Sequence, residues 1–407
     1  MEFGTLFLIA TGVVGLYMAW NIGANDVANS MASAVGAKAI SMHQAVVIAG
    51  VLNFLGAAFV GFHVTHTVTR GIVSPEAIAS SQIIVLGAFS TLLAASSWVF
   101  LATWRGFPVS TTHSIIGALI GFGLVAGNVS AIRWGKLGEV VVSWITSPVL
   151  SGLLAFSLLR GINRLFLREE RRKLRRLSAF FVGGTFLIIF LSLLLKTSLG
   201  DALGLAPLGR VFLSLFLACL AGLGGHFWVS HYLRGGKGRA TEDVFRHLQI
   251  MTSCYVAFAQ GANDVANAVG PLATIHSAIV KNAIAEETRI PFWLLAFGGG
   301  GIALGILTWG YRVIRTVGSR ITSLTNTRGF AIDFSTATVV LISSKLGLPV
   351  STTHACVGAV VGVGLGRGLE AIDLRVVKSI IVSWLITVPL AALLAMGFYC
   401  LMAEIMI

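Results

Sequence analysis

Two seven-residue strings place polar groups where apolar sequence surrounds them. GANDVAN occupies 23–29 and recurs at 261–267. Each copy carries a carboxylate between asparagines: Asn25, Asp26 and Asn29 in the first, Asn263, Asp264 and Asn267 in the second. Carboxylate and amide oxygens are hard donors, and hard donors suit a small cation. Residues 3–40 hold no other charge except Lys38. As one straight helix they would run about 57 Å, against a hydrocarbon core of about 30 Å. A break at the Gly and Asn positions is therefore expected, freeing the carbonyls of Ala24 and Ala262 to complete two cation cages. A carboxylate at such depth is costly unless a cation or proton accompanies it.

A second pair of strings, PVSTTH at 108–113 and 349–354, supplies the complementary chemistry. Proline disfavours helix before it, and Ser or Thr favours a helix start. Ser110, Thr111 and Thr112, like Ser351, Thr352 and Thr353, are expected at helix N-termini. Free N–H groups, the positive end of the dipole and three hydroxyls make an anion cradle there. Neither cradle has a Lys or Arg within its string, so a bound anion calls for a neighbouring cation. Two copies of each element weigh against mere capping or mere interhelical polar contacts. His113 and His354 are read as packing residues rather than proton relays. His63 and His66 have no matching pair in repeat 2, and His66 and Arg70 could line an entry vestibule.

The elements that must position these groups are membrane helices. Of 407 residues, 56% are hydrophobic and 11% charged, with mean hydropathy +0.88; soluble domains carry about 25% charged residues. Charge-free stretches recur at lengths that span a bilayer as helices, and strand-like alternation is absent. The expected fold is an all-α polytopic membrane protein with about twelve transmembrane segments. The motif copies lie 238 and 241 residues apart. A third match, VVSWITSPVLSGLLAF at 141–156 with IVSWLITVPLAALLAM at 381–396, has an offset of 240. The chain divides into repeat 1 (1–160), a middle segment (161–246) and repeat 2 (247–407). Five segments per repeat and two between put seven segments from one start to the next. Seven is odd, so the repeats are expected to be inverted around a shared midplane site.

The net charge of +13 reads as topology, not nucleic-acid binding. Eight Lys and Arg fall in 160–176; with that loop inside, 21 of the 29 basic residues lie on the cytoplasmic side and both termini outside. The expected location is the cell inner membrane, against anionic lipid. The four cysteines read as small core residues. No ATPase, protease or dinucleotide motif is present, so an enzyme is not expected. A cation-coupled anion symporter follows from residue types and duplication, with an anion channel as the rival reading.

The paired GANDVAN and PVSTTH strings resemble the inorganic phosphate transporter (PiT) family over both repeats. The resemblance implies symport of inorganic phosphate with sodium or protons, a homodimer, and no cofactor beyond the co-transported ions. It implies that Asn25, Asp26, Asn29, Asn263, Asp264, Asn267 and both Ser-Thr-Thr triplets line the site. Asp26, Asp264, Asn29 and Asn267 are assigned to phosphate along with the triplets; Asn25, Asp26, Asn263, Asp264, Ala24 and Ala262 are assigned to sodium. Amides coordinate without titrating, which favours sodium over protons. Sulfate is the alternative anion. Phosphate retains a proton that Asp26 or Asp264 could accept, and sulfate does not.

Overall fold

The computed structural model describes the chain except residues 1, 63, 66–67, 69–71, 75–76, 79, 167–170, 197–202, 235–239, 281–289, 321–323, 369–373 and 407. His66 and Arg70 fall outside the described residues. Twelve α-helices are described: α1 (Glu2–Gly36), α2 (Met42–Val60), α3 (Ser81–Trp104), α4 (Thr111–Gly127), α5 (Trp134–Phe166), α6 (Arg171–Lys196), α7 (Pro207–Arg234), α8 (Ala240–Val280), α9 (Phe292–Arg320), α10 (Asn326–Lys345), α11 (Thr352–Arg367) and α12 (Leu374–Met406). Five precede the middle pair α6–α7 and five follow it.

Eight of these are long and apolar enough to cross a membrane: α1, α2, α3, α5, α6, α7, α9 and α12. The other four, α4, α8, α10 and α11, together with α1 bear most of the buried polar side chains among the described residues. The exterior is apolar, as lipid requires: Leu385 of α12 is 71% exposed and Phe212 of α7 is 62% exposed. This corrects the reading of the cysteines as core residues. All four are free, but Cys219 and Cys400 are exposed, because in a bilayer a small apolar side chain is equally at home on the outside.

The helix interruption falls elsewhere than expected. α1 and α8 run unbroken through both GANDVAN strings. Ala24 and Ala262 sit mid-helix, so their carbonyls belong to the helical ladder and are not free ligands. Local propensity is overridden here because the Asn and Asp side chains find partners on other helices, so the backbone has no need to open. Close crossings replace kinks: a Cβ on Gly23 would overlap the Ile302 carbonyl of α9, and one on Gly261 the Asn53 carbonyl of α2.

The break lies at PVSTTH. α3 ends at Trp104, and Gly106 takes φ +72°, which a Cβ would strain. Gly347 does the same after α10, at φ +70°. The chain then passes in extended form to α4 and α11, which start inside the protein. Each of these helices packs on the last helix of the opposite repeat. A Cβ on Gly117 would stand 2.5 Å from the Val388 carbonyl of α12, and one on Gly358 would overlap the Pro148 carbonyl of α5.

Candidate functional site

Ser110 and Ser351 cap the two inner helices in matching fashion. Ser110 Oγ accepts from His113 N at 3.1 Å and Ser351 Oγ accepts from His354 N at 3.2 Å. Both serines and all four following threonines are buried. The expected N-terminal placement of both triplets is thus observed.

The GANDVAN side chains tie α1 and α8 to these turns. Asn25 Nδ2 donates to Thr103 Oγ1 at 2.8 Å and to the Phe107 carbonyl at 3.1 Å, and its Oδ1 accepts from Val109 N at 3.3 Å. Asn263 repeats the pattern with substitutions: its Nδ2 donates to the Val350 carbonyl at 2.7 Å, and its Oδ1 accepts from Ser344 Oγ at 3.2 Å. These first asparagines therefore fasten a straight helix to the turn of its own repeat.

The last asparagines reach across. Asn29 Nδ2 donates to Thr352 Oγ1 at 3.3 Å and Thr353 Oγ1 at 3.0 Å. Asn267 Nδ2 donates to Thr111 Oγ1 at 3.5 Å and Thr112 Oγ1 at 3.3 Å. Thr112 Oγ1 in turn donates to the Val350 carbonyl at 3.2 Å. Each anion cradle is thus built from one repeat and braced by the other.

Between them stand the carboxylates. Thr111 Oγ1 donates to Asp26 Oδ2 at 2.7 Å, and Thr352 Oγ1 donates to Asp264 Oδ2 at 3.2 Å. Asp264 Oδ1 also accepts from Asn263 Nδ2 at 2.8 Å. Asp26 Oδ1 and Asn267 Oδ1 are buried with no hydrogen-bond partner. A buried carboxylate oxygen without a donor is a costly vacancy, and it marks where a cation or proton would sit. Except for the two alanine carbonyls, the sequence-derived site residues converge on one buried locus.

The two histidines meet at its edge. The ring centroids of His113 and His354 lie 4.3 Å apart, with Trp144 against the first at 3.8 Å and Trp384 against the second at 3.5 Å. His354 Nδ1 lies 3.2 Å from the Trp144 carbonyl. Four rings from four helices therefore join the two cradle units.

Asp333 of α10 has no copy in repeat 1 and was not among the expected site residues. It is 1% exposed and accepts from Ser33 Oγ of α1 at 2.7 and 2.8 Å and from Ser253 Oγ of α8 at 2.6 Å. A lone Asp inside an apolar run was the available signal.

Twelve helices, an apolar exterior and a buried site shared by two inner helix N-termini define a multi-pass membrane transporter, not an enzyme. The chain belongs to the phosphate transporter family, whose model matches residues 22–395. It is 48% identical over 398 residues, 96% of each chain, to a Thermococcus kodakarensis protein named "Putative phosphate permease". It is 39% identical over 437 residues to "Inorganic phosphate transporter 2-1, chloroplastic" of Arabidopsis thaliana, covering 98% of this chain and 73% of that one. A solved structure described as "The sodium-dependent phosphate transporter" superposes with a TM-score of 0.93 at 42% identity, covering 98% of this chain and 100% of that one.

Proposed function

We propose that the chain carries inorganic phosphate inward by symport with sodium. The observation that carries this reading is the pair of threonine–aspartate bonds at the heads of α4 and α11. A threonine hydroxyl has one proton. Without ions, Thr111 and Thr352 spend theirs on Asp26 and Asp264. A sodium ion bound at each carboxylate satisfies it electrostatically, and the hydroxyl turns to donate to the anion. The same sodium supplies the positive charge that the cradles lack. Neither ion then binds well alone, which is the thermodynamic content of coupling.

Sodium rather than a proton is favoured by the ligand types. The unpartnered neutral oxygen of the site, Asn267 Oδ1, belongs to an amide, which coordinates an ion and does not titrate. Phosphate is favoured over sulfate because a protonated phosphate oxygen can donate to a carboxylate. The proposed setting is the cell membrane, with loop 160–176 cytoplasmic and both termini outside.

Uptake of radiolabelled phosphate into proteoliposomes tests the reading. Accumulation is expected with an inward sodium gradient and not with a proton gradient alone, with sulfate a weak competitor. Accumulation driven by protons alone would transfer the carrier role to the carboxylates. Flux without accumulation under either gradient would make the protein a channel.

A further inference from the structure

Gln260 breaks the internal symmetry of the site. It directly precedes the second GANDVAN string, it is 0% exposed, and neither of its amide atoms has a hydrogen-bond partner. The equivalent place in repeat 1 holds Ile22, equally buried.

The register of α1 against α8 shows what each residue stands opposite. A Cβ on Gly15 would lie 3.1 Å from Leu272 Cδ1, and Ser33 and Ser253 both donate to Asp333. The helices therefore run antiparallel. From the Ser33–Asp333–Ser253 tie, seven residues back along α1 reach Asp26 and seven forward along α8 reach Gln260. Eleven residues each way reach Ile22 and Asp264. Asp26 thus lies at the depth of a glutamine, and Asp264 at the depth of an isoleucine. Gln260 also shares its helix face with Asp264 and Asn267, at spacings of four and seven.

The hydrogen bonds show the complementary asymmetry. Asp264, opposite Ile22, has both oxygens engaged by Asn263 and Thr352. Asp26, at the depth of Gln260, leaves Oδ1 open. Asn267, linked to Asp26 through Thr111, leaves its Oδ1 open as well.

We propose that Gln260 is a coordinating residue for the cation on the Asp26 side. Its Oε1 joins Asp26 Oδ1, which stands at the same depth and is likewise without a donor, around a monovalent cation of the size of sodium. The two repeats then hold unequal cation sites, the Asp26 site with an added neutral oxygen and the Asp264 site without one. This rests on the sodium-coupled reading above and adds a ligand to it.

The test is phosphate uptake against external sodium in proteoliposomes, for the wild type and for Gln260→Ile, which installs the repeat 1 residue. The sodium concentration for half-maximal uptake is expected to rise about tenfold, with phosphate KM at saturating sodium held within about twofold. A merely structural glutamine would move both or neither. If Gln260→Ile does not fold, Gln260→Met keeps the side-chain length and is expected to show the same split. A folded variant with an unchanged sodium curve, or with phosphate KM raised equally, overturns the proposal. A wild type whose uptake ignores sodium overturns the symport reading together with it. Sodium-dependent wild-type uptake with an unaltered variant overturns this inference alone.

Discussion

At the residue scale, one proton on Thr111 links the two halves of transport. Its hydroxyl donates to Asp26 at 2.7 Å and lies 3.5 Å from Asn267 Nδ2 of the other repeat. Thr111→Val keeps the shape and removes the proton. Phosphate uptake is expected to fall at least about 100-fold, the scale of two good hydrogen bonds to charged groups. Thr111→Ser should retain most of it, so equal loss in both variants would point to packing. Asp26→Asn removes the charge that holds the cation. Sodium-dependent uptake is expected to disappear while the melting temperature is unchanged or rises, because a buried carboxylate with an open oxygen is gone. Near-normal sodium-dependent uptake would rule out the assignment. Most of these residues were legible because they occur twice at one offset, and duplication separates a site from a lone polar residue. Asp333 and Gln260 were not legible in that way, since each lacks a copy. Their meaning comes from the register of α1 on α8, which no single string records.

At the element scale, the expected helix starts at PVSTTH form, while the expected break within GANDVAN does not. Gly and Asn within GANDVAN argue for a break by propensity. Tertiary partners decide otherwise: Asn25 and Asn263 bond the turns beside them, and the glycines admit neighbouring backbones. The break passes to PVSTTH, where Pro108 and Pro349 follow a glycine of positive φ by two residues. The exchange of helices between repeats was equally hidden, because periodicity identifies a face and not its partner. It has a measurable consequence. A Cβ on Gly121 would overlap the Ala392 carbonyl, and backbone cannot rotate aside. Gly121→Ala is expected to destabilise by about 1–3 kcal/mol despite the better helix propensity of alanine. Gly397 has no heavy atom within 4 Å of its Cβ position. Gly397→Ala should therefore be neutral or stabilise by up to about 1 kcal/mol. Equal melting temperatures for the two variants in detergent would mean that the α4–α12 crossing is looser than described.

At the scale of the whole molecule, backbone and side-chain ties sort the loops into two ends. Val73 bridges Ile132, and Gln82 Nε2 donates to the Met406 carbonyl at 3.3 Å, which puts the α4–α5 turn and the C-terminus at one end. Arg246 Nε donates to the Ala39 carbonyl at 3.0 Å and Asn326 Nδ2 to the Glu242 carbonyl at 3.3 Å, which gathers the α1–α2 turn with the starts of α8 and α10 at the other. Lys38, Arg164, Arg176, Arg246 and Arg328 follow the second end. Basic residues are retained on the cytoplasmic side, so that end is expected inside. Single cysteines in a background lacking the four native ones test this. Ser130→Cys and Ile405→Cys, both at exposed positions, are expected to react with a membrane-impermeant maleimide applied to intact cells. Arg164→Cys, exposed on the last turn of α5, should react only after permeabilisation. The reverse pattern would place the termini inside and turn the asymmetric tie at Asp333 toward the outer face.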